Sequence, residues 1–264
     1  MLIRDTNGFV VVEGGDGGDS AHFTGLSVLF SDDPCQMIQM FEVEKGLVCR
    51  HPSQYPWNNP WNLTRDQLMP IACALGHLGH TDNARRIFFS RLKHGFLAQS
   101  WERDCRGTTK FPWPHYEHRC KDNPHKKKPA FQGWPQWLVK YARPVLFATK
   151  IVKRETGGKW VWFNFADPLW PHHICALAAS AKVLPKTLLQ LLGLPTFCLE
   201  ALSFRWSDND DQGAMLATAR ALDIVSVYRK IVPDWDKRLT KYTSTGRGLE
   251  KWGEWIEPGI RSAK

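Results

Sequence analysis

The stretch from Thr64 to Phe96, TRDQLMPIACALGHLGHTDNARRIFFSRLKHGF, constrains the fold more than any other part of the chain. Thr64 and Gln67 have the Ser/Thr-x-x-Glu/Gln spacing that lets each side chain satisfy the other's free backbone N–H. A helix is therefore expected to start there and to run to about Leu78. Gly79 closes it, and Thr81 or Asp82 caps a second helix that carries Ala84, Ile87, Phe88, Leu92 and Phe96 at helical spacing. Together the two segments predict a helical hairpin.

The same periodicity recurs along the chain. Asp19 to Phe30 reads as a helix, and Pro34 to Glu44 as another, with Pro34 suited to its first turn. Helix is expected again from Pro135 to about Arg154, then over roughly 172–183, 185–193, 195–205 and 209–231, with a terminal one near Gly246 to Trp255. Pro195 is expected to separate two of these, because proline removes an internal hydrogen bond and clashes with the preceding turn. GGKWVWFNF, at 157–165, alternates apolar residues and fits a short strand or an aromatic loop. Two regions, 46–63 and 101–134, are rich in Trp, Pro and polar residues and read as long loops. The layout predicts one mainly α domain over 1–264, an (α/α) toroid or incomplete barrel of helical hairpins with long aromatic-rich loops. An irregular orthogonal bundle would give a similar string.

Composition narrows the class. A chain of 264 residues with 43% hydrophobic content can bury a substantial core. Its longest apolar stretches are interrupted by Pro185, Lys186, Gln190 and Pro195, so no membrane span and no membrane partner are expected. The N-terminus lacks the pattern of a secretory signal, which predicts synthesis and folding in a host cytoplasm. Seven cysteines without a CxxC pair are not a disulfide framework. The formal charge of +9 is spread over three regions, and only HKKK at 125–128 is a dense run. Without a zinc finger, an RNP pattern or a basic recognition helix, nucleic acid is the weakest of the partner classes.

Three helix beginnings carry acidic residues: DGGDSA at 16–21, TRDQ at 64–67 and SDNDDQG at 207–213. Aspartate is a favoured helix cap, and its charge complements the positive end of the helix dipole. In an (α/α) toroid the inner helices would also bring these ends to one rim. Glycoside cleavage needs one carboxylic acid to protonate the leaving oxygen and a second carboxylate to activate water or attack the anomeric carbon. Asp19 and Asp66 are the expected pair, with Asp16, Asp210 and Asp211 as substitutes. Arg50, His51, Tyr55, Trp57, Trp61, Arg65, Gln67, Asp210 and Asp211 are the expected substrate contacts.

Trp57, Trp61, Trp101, Trp113 and Trp134 lie in the long loops, where an aromatic face stacks on a sugar or plugs a gap between helices. A polysaccharide lyase is the other enzymatic expectation, with His51 or His22 and Tyr55 or Tyr116 moving the proton and Arg50 or Arg65 neutralising a uronate. HYEHRC, at 115–120, matches no strong zinc pattern, and neither do the histidine pairs at 77/80 and 172/173, so no metal and no cofactor are expected. P-loop, GxSxG, HExxH and GxGxxG motifs are absent.

DGGDSAHFTG, CRHPSQYPW, LTRDQLMP and KKPAFQGWPQW, in that order, resemble a group of helical proteins encoded by tailed phages and some bacteria. The resemblance covers the first 150 residues or so, and its specific motifs are DGGDSA and RDQL. It implies a phage context, an (α/α) barrel-like fold similar to those of glycan-active enzymes, and a site made of Asp16, Asp19, Arg50, His51, Arg65, Asp66 and Gln67. The leading expectation is a phage-associated protein that binds a bacterial surface polysaccharide, with cleavage left open. The alternative is a noncatalytic virion or tail-associated component, whose partners would be other virion proteins. The remaining alternative is a nucleic-acid-binding protein.

Overall fold

The computed structural model describes residues 3–31, 35–55, 57–60, 63–93, 96, 99, 149–153, 160–164, 169–203, 212–236 and 252–263. Over these residues the protein is mainly helical: α1 (Ser20–Phe30), α2 (Arg65–His77), α3 (Thr81–Lys93), α4 (Pro171–Ser180), α5 (Lys186–Ser203), α6 (Gln212–Ala221), α7 (Val225–Ile231) and α8 (Trp252–Ser262). Two small antiparallel pairs accompany them, β1 (Glu42–Glu44) with β2 (Leu47–Val48) and β3 (Thr149–Lys153) with β4 (Trp160–Asn164). No described helix is long and apolar enough to cross a membrane.

α2 is the hub, packing on α1, α3, α4 and α6. Every residue of α1 is buried, so α1 and α2 together form the axis of the core. Their contact is set by a proline. Pro70 lies inside α2 and has no N–H to give to the carbonyl four residues back, that of Asp66. His22 on α1 supplies the missing donor, its Nδ1 lying 2.9 Å from the Asp66 carbonyl oxygen. One turn further along α1, Gly25 meets the Pro70 backbone so closely that a Cβ there would stand 2.5 Å from it. The spacing His22/Gly25 on one helix thus fits Pro70 on the other.

The hairpin of α2 and α3 forms with Gly79 at φ +85° in the turn, but α3 ends at Lys93 and Phe96, expected on it, takes φ +54° outside the helix. α4 packs against both of these helices and against α5. Gly76 of α2 lets the Ser180 backbone of α4 approach to within what would be 2.7 Å of a Cβ. The carboxyl end of α1 is closed by Arg220, whose Nε donates to the Leu29 carbonyl at 3.2 Å, a cation where the helix dipole is negative.

Several local expectations are corrected. The helix expected over Pro34 to Glu44 is not formed in its described part, 35–44: Ile38–Phe41 form one 3₁₀ turn, and the chain then enters β1. α5 runs through Pro195 without stopping. The carbonyl freed by that proline belongs to Leu191, on the exposed side of the helix, where water can satisfy it. Of the segment 209–231, the described residues 212–231 hold two helices, broken where Asp223 adopts φ +53°. At the end of the segment expected to be helical to Arg154, residues 149–153 are a strand, paired with 160–164 within GGKWVWFNF. The terminal helix, described over Trp252–Ser262, runs past the expected end at Trp255, and residues 246–251 lie outside the described residues.

Candidate functional site

The glycine-rich entry to α1 is built as a clamp. Gln54 accepts from the Gly17 N–H at 2.7 Å and donates to the Gly15 carbonyl at 2.8 Å. Gly17 lies against the ring of His51, where a Cβ would come within 2.5 Å, and Gly18 lies against Trp57. Gly14 and Gly15 both take positive φ, a conformation that favours glycine. Asp16 is exposed and closes the loop on itself, its Oδ1 accepting from the Gly18 N–H at 2.9 Å.

Asp19 occupies the N-cap position of α1 without capping it. Its Oδ1 accepts from Gln67 Nε2 at 3.1 Å and lies 3.8 Å from the Arg50 guanidinium. Gln67 also donates to the Gly18 carbonyl at 3.0 Å. The expected capping box at Thr64 and Gln67 is therefore not made. The start of α2 stands where the sequence places it, but Gln67 reaches across to α1 and the Thr64 hydroxyl turns to Asp66 Oδ1.

Arg50 ties the two helix starts together. Its Nη1 donates to the Gly18 carbonyl at 2.9 Å, its Nη2 lies 3.5 Å from the Thr64 hydroxyl, and the guanidinium stacks 5.7 Å from the Trp57 ring centroid. A short chain of contacts thus runs from Asp19 through Arg50 and Thr64 to Asp66. The start of α6 lies beneath them in the core, where the buried Gly213 packs directly on the buried His22 ring. The N-terminal ends of α1, α2 and α6 therefore lie together.

The candidate residues divide by depth. Asp16, Asp19, Arg50, Trp57 and Asp66 are partly or fully exposed, and Tyr55 stands well out in solvent. His51 and Arg65, expected as substrate contacts, are instead fully buried. His51 Nε2 pairs with Asp5 at 3.0 Å, and burial holds its pKa below the ordinary value despite that carboxylate. Gln67 is buried too and touches the rim only through its bonds to Gly18 and Asp19. Trp61, Asp210, Asp211, Tyr116, Trp101, Trp113, Trp134 and HYEHRC lie outside the described residues.

Arg65 points away from the rim into a second polar cluster. Its guanidinium lies 3.4 Å from Glu200 Oε1 of α5, and the other carboxylate oxygen is 2.7 Å from His172 Nε2 and 4.0 Å from His173 Nε2 of α4. All four side chains are buried. Two histidines and a glutamate at this spacing have the composition of a metal centre, but their protons argue otherwise. His173 Nδ1 accepts from the Trp170 backbone N–H at 3.2 Å, so in the neutral ring Nε2 carries the proton and offers no lone pair.

Burial, the neighbouring His172 and Arg65 hold the His173 pKa well below its ordinary value. The His172 pKa is lowered by burial above all, against the pull of Glu200. Two lone pairs would repel at 2.7 Å, so the neutral His172 ring also turns Nε2–H toward Glu200, while its Nδ1 faces the Thr196 hydroxyl at 3.2 Å. The contact to Glu200 is close without being aligned as a hydrogen bond. Glu200 is thus a buried carboxylate neutralised by Arg65 and faced by two imidazole N–H groups.

Sequence reasoning did not find Glu200, Asp5 or Gln54, whose partners are distant in the chain. The signal it passed over was Pro70 inside a strong helix, which implies a donor from elsewhere for the Asp66 carbonyl. The chain matches no protein-family model, no curated protein and no solved structure.

Proposed function

We propose that this protein binds a bacterial surface polysaccharide on the rim where α1 and α2 begin, and hydrolyses it with Asp19 and Asp66. The observation that carries the proposal is the linkage of these two carboxylates, from separate helix starts, through Arg50 and Thr64 at a partly exposed surface beside Trp57. In hydrolysis one carboxyl gives its proton to the leaving glycosidic oxygen as the C–O bond breaks. The other activates the water, or attacks the anomeric carbon, to form the new bond. Trp57 offers a flat apolar face to a sugar ring. Hydrolysis is preferred to the lyase mechanism because His51, one of the bases that route would use, is buried against Asp5.

The finer architecture belongs to the same proposal. Helix starts brought to one side are what an (α/α) toroid produces, and the contacts of His22 with Asp66 and Gly213 support that arrangement. The phage context and a place in the virion rest on the resemblance of DGGDSA and RDQL described above.

A second reading has one observation in its favour. Asp16, Asp19 and Asp66 each already have a partner within the chain, as they would in a noncatalytic virion component whose aspartates only fix its loops. One experiment separates the two. Purified protein is incubated with a panel of host capsular polysaccharides and lipopolysaccharides, and chain length and binding are followed. The proposal expects shortened chains from the parent, a loss of about 10²- to 10⁴-fold in Asp19→Asn and Asp66→Asn, and weaker binding in Trp57→Ala. Absence of both binding and cleavage across the panel, with the chain at fixed copy number in purified particles, establishes the second reading instead.

A further inference from the structure

Three contacts fasten the start of α1 to the start of α2. Asp19 meets Gln67, His22 meets the Asp66 carbonyl, and Gly25 meets Pro70. Asp19, His22 and Gly25 come at intervals of three residues, so they follow one face of α1. The middle contact is the one that reaches the backbone of Asp66. A carbonyl oxygen can only accept, so His22 Nδ1 carries the proton and donates it. The ring is held in that orientation. It is buried, Phe23 stands edge-on to it with centroids 4.8 Å apart, and Gly213 lies so close that a Cβ there would be 2.1 Å from the ring's Cε1.

We propose that His22 is a positioning residue for the hydrolysis described above, holding Asp66 at its working distance from Asp19, and this role rests on that reading of the rim. In an uninterrupted helix the Asp66 carbonyl would bond to the N–H of residue 70, and α2 would fix it alone. Pro70 removes that internal bond. The replacement comes from α1, which begins just after Asp19. The backbone of one proposed catalytic residue is thus tied to a point one turn away from the other. Glycoside hydrolysis depends on the separation of its carboxyl groups, about 5 Å where one attacks the sugar and about 6.5 to 9.5 Å where a water stands between them. A misplacement of about 1 Å in such a constellation costs roughly 100-fold in rate.

A merely structural His22 would have finished its work once the Asp66 carbonyl had any donor. A positioning His22 requires that donor to come from α1. Pro70→Ala separates the two, because alanine restores an N–H at position 70 that can bond the Asp66 carbonyl within α2 and makes no tie to α1.

Polysaccharide turnover per folded molecule is measured in the full-length parent, His22→Leu, His22→Asn and the double variant His22→Leu/Pro70→Ala, with melting temperature and circular dichroism on the same samples. His22→Leu loses the donor, and its kcat is expected to fall by about 100-fold. Its KM is expected to stay within about twofold, since Trp57 is untouched and the lost interaction acts on the reacting groups. The double variant is expected to regain the lost melting temperature but not the lost kcat, and it carries the measurement if His22→Leu does not fold. In His22→Asn the side-chain Nδ2 stands where Nδ1 stood and can donate to the same carbonyl, so kcat is expected to recover to within about tenfold of the parent. A double variant with the parent's kcat, or His22→Asn no more active than His22→Leu, would overturn the positioning role and leave the hydrolytic reading in place. A parent that cleaves no polysaccharide overturns that reading itself, and the role of His22 falls with it.

Discussion

Two carboxylate sites hang from the first turn of one helix, and they use their charge in opposite ways. Arg65 turns inward from α2 to Glu200, in a cluster where all four side chains are buried. Asp66 and Gln67, the next two residues, serve the rim, where Asp16, Asp19 and Asp66 remain in reach of solvent. A buried carboxylate costs several kcal/mol in lost hydration and persists only with a partner in place. An exposed one carries little such cost and can serve a ligand. Glu200 is therefore committed to the fold, while the rim aspartates, within reach of solvent, are the ones the proposed function puts to use.

Removing Glu200 should have the largest effect, because the buried Arg65 would lose the carboxylate that faces it. Glu200→Ala is expected to cost about 3–5 kcal/mol of stability in chemical denaturation. A cost below about 1 kcal/mol would erase the distinction between the two sites. Gly25→Ala is expected to come next, at about 1–3 kcal/mol, because the new methyl group meets the Pro70 backbone, which cannot move aside as a flexible side chain would. Nuclear magnetic resonance should show the His22 ring displaced in that variant.

Acid should reach the inner site first. His172 and His173 resist protonation in the folded state, chiefly through burial, whereas in the unfolded chain they take up protons near pH 6.5. The unfolded state therefore binds more protons below that pH, and stability falls as pH falls. The slope is up to about 1.4 kcal/mol per pH unit for each ring that stays neutral in the folded state. His51 and His77, whose pKa values are also lowered by burial, add to the same trend. Stability measured between pH 7 and 5 should show a shallower slope in His173→Gln, and an unchanged slope would remove the buried pair as its source. Asp16→Asn should matter least, within about 0.5 kcal/mol, since its side chain is exposed and a single loop bond is altered.

The same contrast explains what the sequence could reveal. Helix starts at Ser20, Arg65, Thr81 and Pro171 follow from local chemistry, and the sequence places them within a residue or so of where they stand. The members of the rim were legible because acidic residues mark helix starts. Their bonding was not. Gln67 had a good local partner in Thr64, and only the folded chain brings it Asp19 and the Gly18 carbonyl.

Pro195 looked like a helix break because its neighbours in space were unknown, and at an exposed position the break is not needed. The inner cluster was hidden for a related reason. His172 and His173 read as a poor metal pair until Glu200 and Arg65, contributed by α5 and α2, stand beside them.

Whether the rim carboxylates serve a ligand rather than the fold is tested by Asp66→Asn, with melting temperature and polysaccharide turnover measured on the same preparation. Replacing one partly exposed charge at a helix start is worth about 0.3–1 kcal/mol, a shift of a few degrees at most in a chain of this size. The prediction is a melting point within that range and turnover lower by about 100-fold or more. A melting point lower by ten degrees or so, with turnover per folded molecule unchanged, would show that Asp66 belongs to the fold and not to a ligand site.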